Sequence, residues 1–348
     1  LLEGGRVSGQ ASGRNAGFIL QGTAERYDRA VATLGRDRAR RIHEHSLDNH
    51  AAMAACIAEL EIPCHYRRSG SLQLAGSPRE EAELEASAAM LEQDGFQARL
   101  LSGQELPAVY REAGFRMGVL LPQDGELDPA ALVRGLAQQA VAHGARLFED
   151  SPVIELDAST QGDARVRTAR GSLQADLVLV CVNARAGSLL PWFADKVDPV
   201  RGQMLATAPA PRIFELPVYA DHGFDYWRQD HRNRVVLGGW RNLDPNAEVG
   251  VDDVLHDGIQ QRMTDFIRRF PALADVPITH RWSGTMGFSR DGLPLVGAAP
   301  GTPAALVAVG FTGHGFGFAF LAGQALAQLA LEGSHPLSTE LSPRRMAG

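Results

Sequence analysis

The sequence is almost without lysine. Of its 34 basic residues only Lys196 is a lysine; the other 33 are arginines. A Schiff-base mechanism would rest on Lys196, which lies in the polar stretch 194–198, a poor setting for lowering an ammonium pKa by burial. The phosphate loop G-x-x-x-x-G-K-[ST] is excluded as well. Cysteine is scarce: Cys56, Cys64 and Cys181 form no C-x-x-C pair. Neither a disulfide framework nor a cysteine zinc site follows, and a reduced, cytoplasmic setting is the simpler expectation. There is no basic excess to match a nucleic acid, since the formal net charge is −7. The first residues lack the charged, apolar and small-residue regions of a signal peptide. The stretch 300–331 has no formal charge, but its glycines, with His314, Gln324 and Gln328, fit a buried strand–loop–helix better than a membrane span.

What is present is the balance of a globular protein with a sizeable core: 348 residues, 45% hydrophobic and 22% charged. At roughly 150 residues per domain the length implies about two domains. No internal repeat or low-complexity segment is visible. Pro78 followed by Glu80 and Glu81 opens a helix, and Asp128-Pro129 opens another that Gly144 stops. Arg146 to Glu149 reads as a short strand, and a polar hairpin region surrounds Gly162 and Gly171. The apolar run 176–182 predicts a strand buried on both faces. Short β-like runs fill 197–239, and a helix is predicted over 252–270. Strands return at 278–286 and 305–309, and a last helix runs from about Gly315 to Glu332. The order predicts an α/β (α+β, two-domain) protein: a Rossmann-like nucleotide-binding domain with a β-rich domain inserted in sequence.

Three segments carry chemistry. Glu3 closes an apolar run, where a dinucleotide-binding fold holds a ribose hydroxyl pair. The loop after it, with Ser12, Gly13, Arg14, Asn15, Ala16 and Gly17, offers backbone N–H groups and one cation to a pyrophosphate. The segment Gly313, His314, Gly315, Phe316 and Gly317 lies between an apolar strand and an apolar helix. Its glycines allow close approach to a flat ligand, and the helix start suits a phosphate or the N1–C2=O edge of a reduced flavin. The third segment, 282–297, has a turn at Arg290-Asp291-Gly292 between two apolar runs.

Together and in this order, these segments resemble the FAD-dependent D-amino-acid-oxidase-like family, along essentially the whole chain. Further signs are Gly125-Glu126-Leu127-Asp128-Pro129, the run 178–184, Pro199 to Gln203, Trp282-x-Gly284, and Asp291-x-x-Pro294-x-x-Gly297. The Ser12-Gly13-Arg14-Asn15 form is most similar to the γ-glutamylputrescine-oxidoreductase branch; glycine- and sarcosine-oxidase branches belong to the same family. The resemblance implies non-covalent FAD held by residues 1–45, 125–198 and 280–348, under a substrate domain of residues 46–124 and 199–279. Glu3 is then the ribose acceptor, and Val153, Asn183 and Gly287 join the two loops as FAD contacts. The substrate is a small amine or amino acid. A hydride leaves the carbon beside nitrogen for flavin N5, and the imine hydrolyses. His314, with Tyr226 and Arg228 from the inserted domain, is placed at the reacting centre; Tyr226 and Trp227 face opposite ways on a strand, so one of them lines the pocket. Trp240 and Arg241 are further candidates of the same kind.

The departures from the family are informative. Its G-x-G-x-x-G turn precedes the ribose acid, and no residues precede Leu1 here. The glycine-oxidase carboxylate arginine aligns with Met286, the sarcosine-oxidase lysine with Val236, and the flavin-bound cysteine with Gly284. A dehydrogenase that passes electrons to a quinone or protein carrier, and a non-catalytic remnant of the fold, therefore stand as alternatives. A metal is not expected, because His43, His45 and His50 do not share one helix face.

Overall fold

The computed structural model describes residues 1–347. Local signals set its helices first. The Ser77 hydroxyl accepts the Glu80 N–H at 3.2 Å, and an Asp128 carboxylate oxygen accepts that of Ala131 at 3.0 Å. Each satisfies an N–H that the first helical turn leaves without a partner, and a proline at the first position pre-sets φ. The helices Pro78–Gln93 and Pro129–Ala142 follow.

Eight strands form the large sheet, in the order Ile278–Ser289, Val197–Pro209, Arg234–Gly239, Asp225–Gln229, Val218–Ala220, Ser71–Ala75, Met117–Leu121 and Arg99–Ser102. All neighbours are antiparallel except Val218–Ala220 with Ser71–Ala75. Alternation buries Trp227, Val235, Leu237 and Leu205 against Phe266 and Phe270, on and just beyond helix Asp257–Ile267. A smaller sheet joins Leu295–Ala298, Ala305–Val309 and Val178–Val180, the last two parallel. The apolar helix Ala319–Glu332 packs on it through Ala322, Ala325 and Leu326. A polar three-stranded meander, Val153–Thr160, Asp163–Thr168 and Gly171–Ala175, stands beside it, with its turns at the two glycines expected.

The longest pairing links these bodies. Val197–Pro209 and Ile278–Ser289 run antiparallel from Val197↔Ser289 to Thr207↔Ile278. Val197 lies in the core of the small sheet and Leu205 in that of the large one.

Three expectations are revised. Arg146 to Glu149 is no strand; it makes only a parallel bridge between Phe148 and Leu2. The run 176–182 yields the short strand Val178–Val180 at a sheet edge, with Leu179 45% exposed, because it has one neighbour instead of two. The helix expected over 252–270 begins only at Asp257. Residues before it are held extended, because buried Arg201 donates to the Ala247 and Asp252 carbonyls, and buried Gln203 donates to that of Val254. Helix Arg36–Glu59 is continuous over 24 residues.

No helix among the described residues is long and apolar enough to cross a membrane.

Candidate functional site

The ends of these elements converge on a cavity of about 530 Å³. Ser12, Asn15 and Ala16 line it, as do Asn183, Tyr226 and the loop from Gly313 to Gly317. The sequence therefore points to one place from four separated segments.

The glycine loop is built in two steps. Strand Ala305–Val309 ends, and a tight turn follows, with left-handed backbone at Gly310, Thr312 and Gly313. A 3-10 turn, Gly315–Gly317, then leads into helix Ala319–Glu332, so the expected helix start is tighter than an α-turn. The turn's own hydrogen bonds use the N–H groups of His314, Gly317 and Phe318. Those of Gly315 and Phe316 have no acceptor among the described residues. A side chain at Gly315 would meet nothing within 4 Å. Two unpaired donors thus border open space, at the positive end of a 14-residue helix. Gly315 is not among the positive-φ residues; that conformation belongs to Gly313, with φ of 74°.

Asn183 fixes the loop from beneath. Its side-chain oxygen accepts the N–H of Gly310 at 2.9 Å and of Phe311 at 3.4 Å. Gly287 does not line the cavity but holds this arrangement: its carbonyl accepts Thr312 N–H at 2.7 Å, and a Cβ there would lie 2.6 Å from the Asn183 oxygen.

His314 is tied down, with Nε2 3.1 Å from the Leu20 carbonyl. Burial lowers its pKa to about 4, so at neutral pH the uncharged ring donates that hydrogen from Nε2. His43 lines the cavity too, with neither ring nitrogen partnered, and burial takes it down to about 3. Gln21 is buried beside them with its amide unpaired.

Other expected residues lie elsewhere. Glu3 accepts the Gly5 N–H at 2.9 Å and is outside the cavity lining, as is Val153. Gly13 and Gly17 shape the backbone behind Ser12 and Asn15, and Arg14 pairs with Asp253. Arg228 is not in the ceiling. It is 6% exposed and donates to the carbonyls of Ala16 and Leu127 and, at 3.2 Å, to Glu126. Trp227 turns into the core while Tyr226 faces the cavity, as strand alternation requires. The arginines that do line the cavity are Arg241 and Arg26, the latter paired with Asp28 and Glu83. Met286 and Phe288 line it from the long strand Ile278–Ser289. Among the described residues no three His, Cys, Asp or Glu side chains gather as a metal site.

Asp124, which the sequence did not single out, is fully buried on this cavity. It accepts Ser71 Oγ–H at 2.5 Å and Gln21 N–H at 2.8 Å, with no cation bound to it. Burial outweighs these bonds and raises its pKa from 3.8 to about 7. Between those values the folded protein keeps a proton that the unfolded chain has released, so stability falls as pH rises from about 4 to about 7. Asp124→Asn removes this titration. Its melting temperature relative to the parent should climb between pH 4 and 7 and level off above; a difference that stays flat means Asp124 is charged throughout.

The residues present fit a flat ligand with an electron-rich edge: unpaired N–H donors, open space above Gly315 and aromatic walls from Phe18 and Tyr226. Comparison with known proteins agrees. The DAO family, described as FAD dependent oxidoreductase, matches residues 1–329. A probable oxidoreductase OrdL of Haemophilus influenzae is 25% identical over 351 residues, covering 97% of this chain and 78% of its own. Gamma-glutamylputrescine oxidoreductase of Escherichia coli is 26% identical over 340 residues, covering 94% and 77%. In three dimensions the chain is similar to glycine oxidase from Geobacillus kaustophilus, with a TM-score of 0.82 at 22% identity over 98% of this chain and 91% of that one; this likeness concerns the fold.

Proposed function

Because the chain belongs to the FAD-dependent oxidoreductase family, which acts on amines or amino acids, we propose that its cavity binds FAD non-covalently and oxidises a substrate C–N bond to an imine. The observation that carries this reading is the pair of unpaired N–H groups at Gly315 and Phe316, facing open space in the cavity.

FAD, when bound, supplies a two-electron acceptor for a hydride. With that acceptor in place a hydride would leave the carbon beside nitrogen as the nitrogen lone pair closes the C=N bond, and water would split the imine into a carbonyl compound and an amine. The Gly315 and Phe316 N–H groups would hold an electron-rich edge of bound FAD and would stabilise negative charge there. Asn183 and Gly287 keep the loop rigid, so those donors need no reorganisation. His314 and His43 are neutral and weakly basic. Neither ring is a strong base, so this reading has the substrate amine arrive with its lone pair free and leaves the protein the work of alignment.

A dehydrogenase variant of this reading has one observation in its favour. The single lysine, Lys196, is committed 2.7 Å from Asp195 and over the Trp192 ring, outside the cavity lining. No ammonium is then at hand to promote reaction with oxygen.

The test is the visible spectrum of purified protein. Flavin bands, bleached without oxygen by an amine or amino acid, are expected. Acid precipitation should leave all flavin in the supernatant; flavin in the pellet would point to attachment, with Cys181 on the cavity as the residue to examine. Peroxide released in air separates oxidase from dehydrogenase. Protein that takes up no flavin even from added FAD overturns the reading.

A further inference from the structure

The cavity does not stop at the glycine loop. The Leu20 carbonyl faces His314, while the N–H of the same peptide group, on Gln21, faces Asp124. A trans peptide points these two groups in opposite directions, so the chain at 20–22 has cavity on both sides. On the Asp124 side the cavity runs in among helices Tyr27–Leu34, Arg36–Glu59 and Pro78–Gln93 and strands Ser71–Ala75 and Met117–Leu121. Ala30, Ala39, Leu74, Leu84, Leu91 and Leu121 wall this side lobe, all of them buried and apolar. Two polar side chains on its lining have no partner among the described residues: the Gln21 amide, 8% exposed, and the His43 ring, 3% exposed.

The neighbours that could satisfy them are spent. Ser46 Oγ donates to the His43 carbonyl and accepts the Gly22 N–H, both at 2.6 Å. The Tyr27 hydroxyl goes to Asp94 at 2.6 Å. The His43 ring is held in place all the same, 4.0 Å from the Phe96 ring and edge-on to Tyr27 at 5.3 Å. Gly22 makes room for it: its φ is 77°, and a Cβ there would lie 3.0 Å from His43 Nδ1. A buried amide or imidazole without a partner costs stability, and native folds keep such groups where something else binds them. The charges say what that is. Burial holds His43 uncharged, and Asp124 keeps its proton below about pH 7. Glu80 spends its carboxylate oxygens on the Gly76 and His222 N–H groups, and Arg26 pairs with Asp28 and Glu83. Glu25 is exposed, and Arg241 lies elsewhere, between the rings of Phe224 and Phe288. An ion entering the lobe therefore meets no free counter-charge. An uncharged group that both donates and accepts, on an apolar stem, meets complementary groups.

Resting on the FAD reading above, we propose that this lobe holds the far end of the substrate, so that the substrate class is an amine whose apolar stem ends in an uncharged hydroxyl or amide, hydrogen-bonded by Gln21 and His43. The reacting end lies by the Gly315–Gly317 turn, and the tail reaches round the Leu20–Gln21 peptide to the other side.

The test is calorimetric titration of the purified holoprotein at pH 6, with the flavin spectrum recorded alongside. The probes are three amines of one length: 6-amino-1-hexanol, hexylamine and 1,6-diaminohexane. The hydroxyl-ended amine should bind at least about tenfold more tightly than the diamine, with hexylamine between them. The double variant Gln21→Leu, His43→Leu should lose the preference for hydroxyl over methyl and keep its flavin bands. Its melting temperature should not fall, because apolar groups replace unpaired polar ones. Should that variant fail to fold, Ala39→Leu makes the comparison by filling the lobe, and 6-amino-1-hexanol should again lose its advantage. Equal binding of the hydroxyl-ended amine and the diamine, a preference that survives in the variants, or no binding of any of the three overturns the assignment and leaves the lobe to water. A protein without flavin bands that shows the same preference, lost in the same variants, defeats the FAD reading and leaves the tail site standing.

Discussion

Gly315→Val is expected to give a folded protein that has lost its flavin. The two halves of that statement have separate grounds. The protein should fold because the backbone at Gly315 is not left-handed and a Cβ there meets no protein atom within 4 Å. Flavin should be lost because that same space is where the unpaired Gly315 and Phe316 N–H groups open. A valine would fill it, costing about 1–3 kcal/mol in overlap with any ring seated there. It would also push the ring off both donors, at about 1 kcal/mol for each hydrogen bond. Together these weaken retention by roughly a hundredfold or more. The measurements are flavin absorbance per protein and melting temperature. His314→Ala, which releases the Leu20 carbonyl, should keep most of its flavin and reduce it more slowly. If Gly315→Val retains both flavin and the rate of anaerobic reduction, the loop is packing and nothing more.

Arg228→Met is expected to act on stability and leave the cavity alone. The guanidinium is spent on the Ala16 and Leu127 carbonyls and on Glu126, whose other oxygen takes Arg67. Methionine fills similar volume but leaves two buried carbonyls without donors and Glu126 short of a cation. Breaking a buried charged network in this way costs about 3–5 kcal/mol. For a chain of this size that lowers the melting temperature on the order of 5–10 °C. Arg228→Lys keeps the charge but cannot reach three acceptors, so it should fall in between. Flavin bound per folded molecule should be unchanged in both. A reduction rate that collapses while stability holds would return Arg228 to the reacting centre.

The contrast between Arg228 and Arg241 shows where sequence reading stops. Strand alternation put Tyr226 and Arg228 on one face, and it did so correctly, but which of them overlooks the cavity depends on Ala16 and Leu127, more than a hundred residues away. Arg241 was visible in sequence as one more candidate for the ceiling, with Trp240, and nothing set it above Arg228. Its place on the cavity comes from a left-handed tryptophan, a conformation that no propensity predicts for that residue. The helix starts at Ser77 and Asp128 were legible because a cap and a proline act locally. The glycine loop was legible because glycines between an apolar strand and an apolar helix have few other uses. Asp124 was not, since a lone aspartate in a loop signals nothing until burial removes its water. The run 176–182 misled because hydrophobicity reports what a strand could bury, not how many neighbours it has.

The paired strands Val197–Pro209 and Ile278–Ser289 bear on how a substrate gets in. Hinge opening needs a few residues free to change φ and ψ between two bodies. Here the crossing is a double-stranded ladder anchored at Val197 in one core and at Leu205 in the other, so it works as a girder and not as a joint. Swinging the large sheet away from the small one would break ladder hydrogen bonds along its length. Traffic through the cavity then falls to short segments outside the ladder, such as the chain around Thr23 to Arg26 at its rim. Amide protons of residues 200–207 should exchange only on global unfolding, while those around residue 24 exchange freely at every turnover.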